Sequence, residues 1–86
     1  MYTVIFKKKA GKELLQLPST VLPKVSASID SLEENPRPSG SKKLKDNEED
    51  MWRIRIGNYR VLYVIDDVIR IVNIRKIGHR KDVYRK

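Results

Sequence analysis

The sequence predicts an α+β fold: an N-terminal strand and a helical hairpin packed on an antiparallel sheet. Two patterns carry this. From Met51 to Tyr84 the chain alternates arginine with bulky apolar residues, the period of strands whose successive side chains point to opposite faces. Upstream, Val21, Val25, Ile29 and Leu32 recur at spacings of four, four and three, which is one stripe of a helix. Helices followed by three consecutive strands give an α+β order with an antiparallel meander.

Taken in order, Tyr2–Phe6 is β-branched and aromatic and reads as a strand. Lys9–Leu17 is a short helix weakened by Gly11 and ended by Pro18. Ser19 or Thr20 is placed to cap a second helix, with Pro23 tolerated in its first turn. Asn35-Pro36 stops that helix. Pro36–Lys42 is a loop of Pro, Ser and Gly, and Lys43-Leu44-Lys45 starts a short extended segment. Asp46–Asp50 is an acidic turn. Strands are expected at Met51–Ile56, Tyr59–Ile65 and Val68–Lys76.

Gly57-Asn58 suits a two-residue hairpin loop, because both residues tolerate positive φ. Ile56 then opposes Tyr59, and Arg55 opposes Arg60. If Asp66-Asp67 is also a two-residue turn, Ile65 opposes Val68 and Arg60 opposes Asn73; a longer even-numbered loop keeps the same faces. One face carries Trp52, Ile54, Ile56, Tyr59, Val61, Tyr63, Ile65, Val72 and Ile74, and the helices are its available cover. The other carries Arg53, Arg55, Arg60, Asn73 and Arg75 at one end and Leu62, Val64, Ile69 and Ile71 at the other. Like charges directly opposed repel. A fold accepts that where an anion sits between them, and an RNA phosphate is the anion expected here.

Eighty-six residues suit a single domain spanning 1–86. A net charge of +8 predicts an anionic partner: nucleic acid, an acidic protein or an anionic membrane. There is no cysteine, hence no disulfide framework and no thiolate metal site. No apolar run approaches the roughly 20 residues of a membrane span. A soluble cytoplasmic protein is expected, and no metal constellation, phosphate-cradling glycine loop or cofactor motif is present.

Arginine binds phosphate bidentately and keeps its charge. Arg53, Arg55, Arg60 and Arg75, with Arg80 arriving from the tail, can bind a phosphodiester and stabilise a pentacoordinate transition state. The bland alternative is a solvated basic strand face. His79 is the single histidine. Its neutral form can take a proton from a 2′-hydroxyl, or it is an ordinary loop histidine. Tyr84 can stack on an unpaired base, or simply pack the tail on the sheet. Lys43, Lys45 and Lys81, among other lysines, supply sequence-independent attraction to a nucleic-acid backbone.

The segments KKLK at 42–45, MWRIRIGNYRVLY at 51–63 and IRKIGHRKDVY at 74–84, with NPRP at 35–38, resemble the RelE/ParE toxins of type II toxin–antitoxin modules. The resemblance covers essentially the whole chain. It implies a compact fold similar to microbial ribonucleases. It also implies metal-independent, ribosome-dependent cleavage of mRNA in the A site, in which the 2′-hydroxyl attacks the adjacent phosphate. The family's basic strand pair corresponds to Arg53 and Arg55. Arg60 and Arg80 correspond to the charge-stabilising arginines, and Tyr84 to the substrate-orienting tyrosine. Some members have lysine where this chain has Arg53 and Arg55. Arginine is a poor base, so His79, Lys45 or Tyr84 is left as proton acceptor. The resemblance further implies a cognate acidic antitoxin and a toxin–antitoxin hetero-oligomer. The ParE branch, which inhibits DNA gyrase without cleavage, and a non-catalytic nucleic-acid-binding module are the competing readings.

Overall fold

The structure, a computed structural model, describes residues 1–45 and 50–83. Its elements are β1 (Thr3–Phe6), α1 (Lys8–Leu15), α2 (Leu22–Ser31), β2 (Lys42–Lys43), β3 (Met51–Ile56), β4 (Tyr59–Asp66) and β5 (Ile71–His79). The five strands form one sheet in the order β1-β5-β4-β3-β2. The pairs from β2 to β5 are antiparallel, as the meander requires, and β1 joins β5 as a parallel edge strand. The α+β architecture expected from the sequence is the observed one. The acidic segment 46–49 and Tyr84 lie outside the described residues.

Both helices lie on one face. Ala10 of α1 and Val25, Ile29 and Leu32 from α2 and its C-terminal end pack with Ile54, Val61, Tyr63, Val72, Ile74 and Ile77 of the sheet. This is the alternating set read from the sequence, with Ile77 added. Each buried Val, Leu or Ile of this set contributes about 1.5–3 kcal/mol, and the buried cluster dictates the sheet's register, since a slip by one residue would turn it outwards. Helix α2 starts later than expected: Val21 occupies the N-cap, and no side-chain cap bond forms there.

Two local features differ from the simplest hairpin pattern. The β4–β5 connection is longer than Asp66-Asp67. Ile65 opposes Val72, and Arg60 opposes Gly78 rather than Asn73. Asp66 Oδ1 accepts the backbone N–H groups of Val68 and Ile69, at 2.9 and 3.1 Å, and Arg70 takes a positive φ of 56°. The loop therefore spans residues 67–70, an even count, and the faces survive. Then β5 bulges opposite Leu62 and Tyr63. Tyr63 pairs with Ile74 but Leu62 pairs with Lys76, so Arg75 is the extra residue. The bulge moves Lys76 onto the arginine face and Ile77 into the core.

A further group ties the outer parts together. Arg37 forms a two-pronged ion pair with Asp67 at 2.8 and 3.1 Å, and the Tyr2 hydroxyl donates to Asp67 Oδ1 at 2.7 Å. The Arg37 guanidinium also lies 5.1 Å from the Trp52 ring centre. The buried Tyr63 hydroxyl donates to the Pro36 carbonyl at 2.8 Å. The loop after α2 is thus fastened to both the N-terminus and the β4–β5 turn.

Candidate functional site

The solvent side of the sheet is organised in rows. One row runs Lys42, Arg53, Leu62, Lys76, and the next runs Arg55, Arg60, Gly78. The opposition of Arg55 and Arg60 read from the hairpin loop is present in the ladder. Beyond these rows the face turns apolar. Ile5, Val64, Ile69 and Ile71, with Asp66, Asn73 and Arg75, line a shallow depression of about 220 Å³. Arg75 is therefore on the same face as Arg53 and Arg55, at the border between its basic and apolar halves.

Arg60 and Arg55 differ in environment. Arg55 is exposed. Arg60 is only 9% exposed, and its Nη1 donates to the carbonyls of Gly57 and Tyr59, both at 3.1 Å. Its guanidinium is therefore not that of a freely solvated strand face: it braces its own hairpin turn. The turn works because Gly57 takes a positive φ of 58°. Arg53 is half-buried, and its Nε is buried with no hydrogen-bond partner among the described residues.

The tail closes over this end. The Arg80 N–H donates to the Asn58 carbonyl at 2.7 Å, tying the tail to the hairpin loop. The N–H groups of Asp82 and Val83 both donate to the His79 carbonyl. Val83 is buried, and a side chain at Gly78, on the Arg60 face, would touch it at 3.9 Å.

His79 does not join the arginines. It pairs with Tyr59 and so stands on the helix-covered side, its ring meeting Tyr59 edge-on at 5.5 Å. Its Nδ1 accepts the Lys81 N–H at 3.2 Å. The neutral ring then carries its proton on Nε2, and its one basic lone pair is already engaged. Lys43 pairs with Trp52, on the side opposite Arg53, and forms an ion pair with Asp50 at 3.2 Å. Lys42, its neighbour, is the lysine in the arginine row. Lys45 and Lys81 are exposed beside β2 and in the tail turn. The residue that sequence reasoning missed on this face is Lys76. Unbroken alternation puts it inside; only the bulge brings it out. Glu13 supports that geometry: its Oε1 accepts the Ile77 N–H at 3.0 Å, where β1 no longer accompanies β5.

A family model described as the ParE toxin of the type II toxin–antitoxin system parDE matches residues 4–84. The chain belongs to the RelE/ParE toxin family. Its likeness is to the RelE members. It is 39% identical to a protein named RelE1 from Methanocaldococcus jannaschii, over 98% of this chain and 96% of that one. It superposes on the toxin–antitoxin complex RelBE2 of Mycobacterium tuberculosis with a TM-score of 0.80 at 34% identity, covering 92% of this chain and 98% of that one. The archaeal RelE–RelB complex of Pyrococcus horikoshii gives the same TM-score at 29% identity, with 95% and 98% covered. On this chain's open sheet face the ladder brings Arg53, Arg55 and Arg60 together with Lys42 and Lys76, while His79 stands on the other side.

Proposed function

We propose that the chain is an endoribonuclease that cleaves mRNA in the ribosomal A site and is held inactive by an acidic antitoxin. The observation that supports this most is the opposed pair Arg55 and Arg60, flanked by Arg53 and Lys76 on a face the helices leave open. Opposed arginines in a sheet are repulsive unless an anion bridges them. A scissile phosphate supplies that anion, and the pentacoordinate transition state supplies more negative charge than the ground state.

In the proposed step the 2′-oxygen forms a bond to phosphorus and loses its proton. The bond from phosphorus to the 5′-oxygen breaks, and that oxygen takes a proton. The products are a 2′,3′-cyclic phosphate and a 5′-hydroxyl. Arg60, braced on the turn carbonyls, keeps Nε and Nη2 for a non-bridging oxygen. Arg55 approaches from the opposite strand, and Arg53, Lys76 and Lys42 hold neighbouring phosphates. Arg80, fixed through its backbone to Asn58, adds charge from the tail, and the resemblance to the family gives Tyr84 the role of orienting the substrate. His79 holds the tail turn rather than the proton; the ribosome or solvent accepts it.

Antitoxin control is supported by the net charge of +8 and by the related toxins, whose structures are complexes with antitoxins. An acidic segment with apolar side chains complements a basic sheet end beside the Ile5, Val64 and Ile71 surface. Primer extension on mRNA from a purified translation reaction, run beside a gyrase supercoiling assay, tests the reading. New 5′ ends within A-site codons with unchanged supercoiling support it. Inhibited supercoiling with intact mRNA overturns it in favour of gyrase inhibition.

A further inference from the structure

A second concave feature lies at the edge of the sheet, a polar pocket of about 370 Å³ lined by Ser28, Ser31, Pro38, Gly40, Ile54 and Arg55. The topology creates it. Strand β2 pairs with Trp52 and Arg53, and among the described residues no strand continues along the β2 side of Ile54 to Ile56, whose other side is paired with β4. The loop before β2 stands off from that edge. Ser28 and Ser31, on the last turn of α2, offer hydroxyls where larger residues would fill the gap. Gly40, at a φ of 91°, has no neighbouring heavy atom where a side chain would project.

We propose that this pocket is a nucleobase subsite, receiving the base of a nucleotide whose phosphate is held by Arg55; it rests on the ribonuclease reading above. Position, size and chemistry argue for it. Arg55 belongs both to the pocket wall and to the arginine row, so a phosphate on its guanidinium places the attached nucleoside at the pocket mouth. The volume falls within the roughly 300–1,000 Å³ of small-ligand sites. Pro38 and Ile54 provide apolar contact for a ring face, and the serines and the unpaired strand edge provide polar contact for a base edge. The Ser31 hydroxyl already donates to the Ser28 carbonyl at 2.6 Å, so towards the pocket it presents lone pairs. That favours a base with an exocyclic amino group, such as cytosine, over uracil. An antitoxin strand added to the same edge is the competing occupant. The open stretch from Ile54 to the Gly57 turn is too short for an extended ladder.

The test is nuclear magnetic resonance titration of the full-length protein with ribose 5-phosphate, CMP and UMP. Of the residues lining the pocket, ribose 5-phosphate should perturb Arg55 alone. CMP should in addition move the amides of Ser31, Gly40 and Ile54 and bind about tenfold more tightly, the scale of one base contact, with UMP between the two. Ser31→Leu, which fills the pocket, should reduce CMP to the affinity of ribose 5-phosphate. Ser31→Ala, which removes the acceptor and is tolerated in a helix, should erase the difference between CMP and UMP. Equal perturbation and affinity for CMP and ribose 5-phosphate would overturn the subsite. So would an unaltered CMP affinity in Ser31→Leu, or protection of these amides by an antitoxin peptide but not by CMP. Because the readout needs no cleavage, base-dependent binding by a chain that cuts no mRNA would sink the ribonuclease reading and leave the subsite standing.

Discussion

Arg55 and Arg60 face each other directly across the β3–β4 ladder, yet Arg55 is solvated while Arg60 is buried against the carbonyls of Gly57 and Tyr59. The carbonyls offset part of the repulsion from below. In the proposed complex the scissile phosphate offsets the rest from above. The two residues should therefore separate in a stability measurement. Arg55→Ala should leave stability within about 0.5 kcal/mol of wild type, as exposed substitutions do. Arg60→Ala loses charged hydrogen bonds to the turn and should cost about 1–3 kcal/mol. Urea denaturation of both variants checks this, and equal stabilities would mean Arg60 does not brace the turn.

The ties around the NPRP loop predict opposite pH responses. Arg37 first, then Tyr2, hold the Asp67 carboxyl down to about 2. A depressed carboxyl stabilises above its ordinary range near 3.9 and stops doing so as pH falls towards 2. The stability gap between wild type and Asp67→Asn should therefore close between about pH 4 and pH 2. Denaturation midpoints at pH 6 and pH 2.5 measure it.

Burial pushes the Tyr63 hydroxyl up to about 12. Its bond to the Pro36 carbonyl requires the protonated form. The contribution is complete below about pH 10 and is lost as pH rises towards 12. Tyr63→Phe should cost about 1 kcal/mol at neutral pH, and the difference from wild type should vanish in alkali. A gap that persists at pH 12 would contradict the assignment.

Lys42 and Lys43 are adjacent in sequence and on opposite faces. Lys42→Ala should weaken RNA binding and reduce the salt slope by about one phosphate contact. Lys43→Ala should leave both unchanged. A filter-binding series over salt concentration distinguishes them.

His79→Ala should cleave within a few-fold of wild type, since the ring lies on the Tyr59 side and its Nδ1 is engaged by Lys81. A loss of about 10²–10⁴-fold, the range of a lost acid–base group, would restore the histidine as base and require the tail to rearrange in the ribosome-bound state.

How much of this was legible beforehand follows from which signals are local. The β3–β4 hairpin was readable because Gly57-Asn58 determines a short loop and alternation determines the faces on both sides of it. The helix stripe of Val25, Ile29 and Leu32 was readable for the same reason, a fixed period against a core. The β4–β5 register was not, because it depends on Asp66 accepting two loop amides and on Arg70 adopting a left-handed turn. The bulge at Arg75 was not legible either. Its support comes from Glu13, more than sixty residues earlier in the chain, and no nearby residue announces it. That one irregularity accounts for Lys76 joining the arginine face. Parity through the bulge also sets His79 apart from the arginines, so the family's tail motif could be recognised while the role of its histidine could not.

The most direct test of the account is the cleavage rate of ribosome-bound mRNA by Arg55→Ala. The substitution removes one half of the opposed pair without touching the turn, the core or the tail. The account predicts a fall of about 10²–10³-fold, the cost of losing one preorganised charge-stabilising group, with an unchanged melting temperature. A variant that cuts at the wild-type rate would contradict the claim that the opposed arginines hold the scissile phosphate.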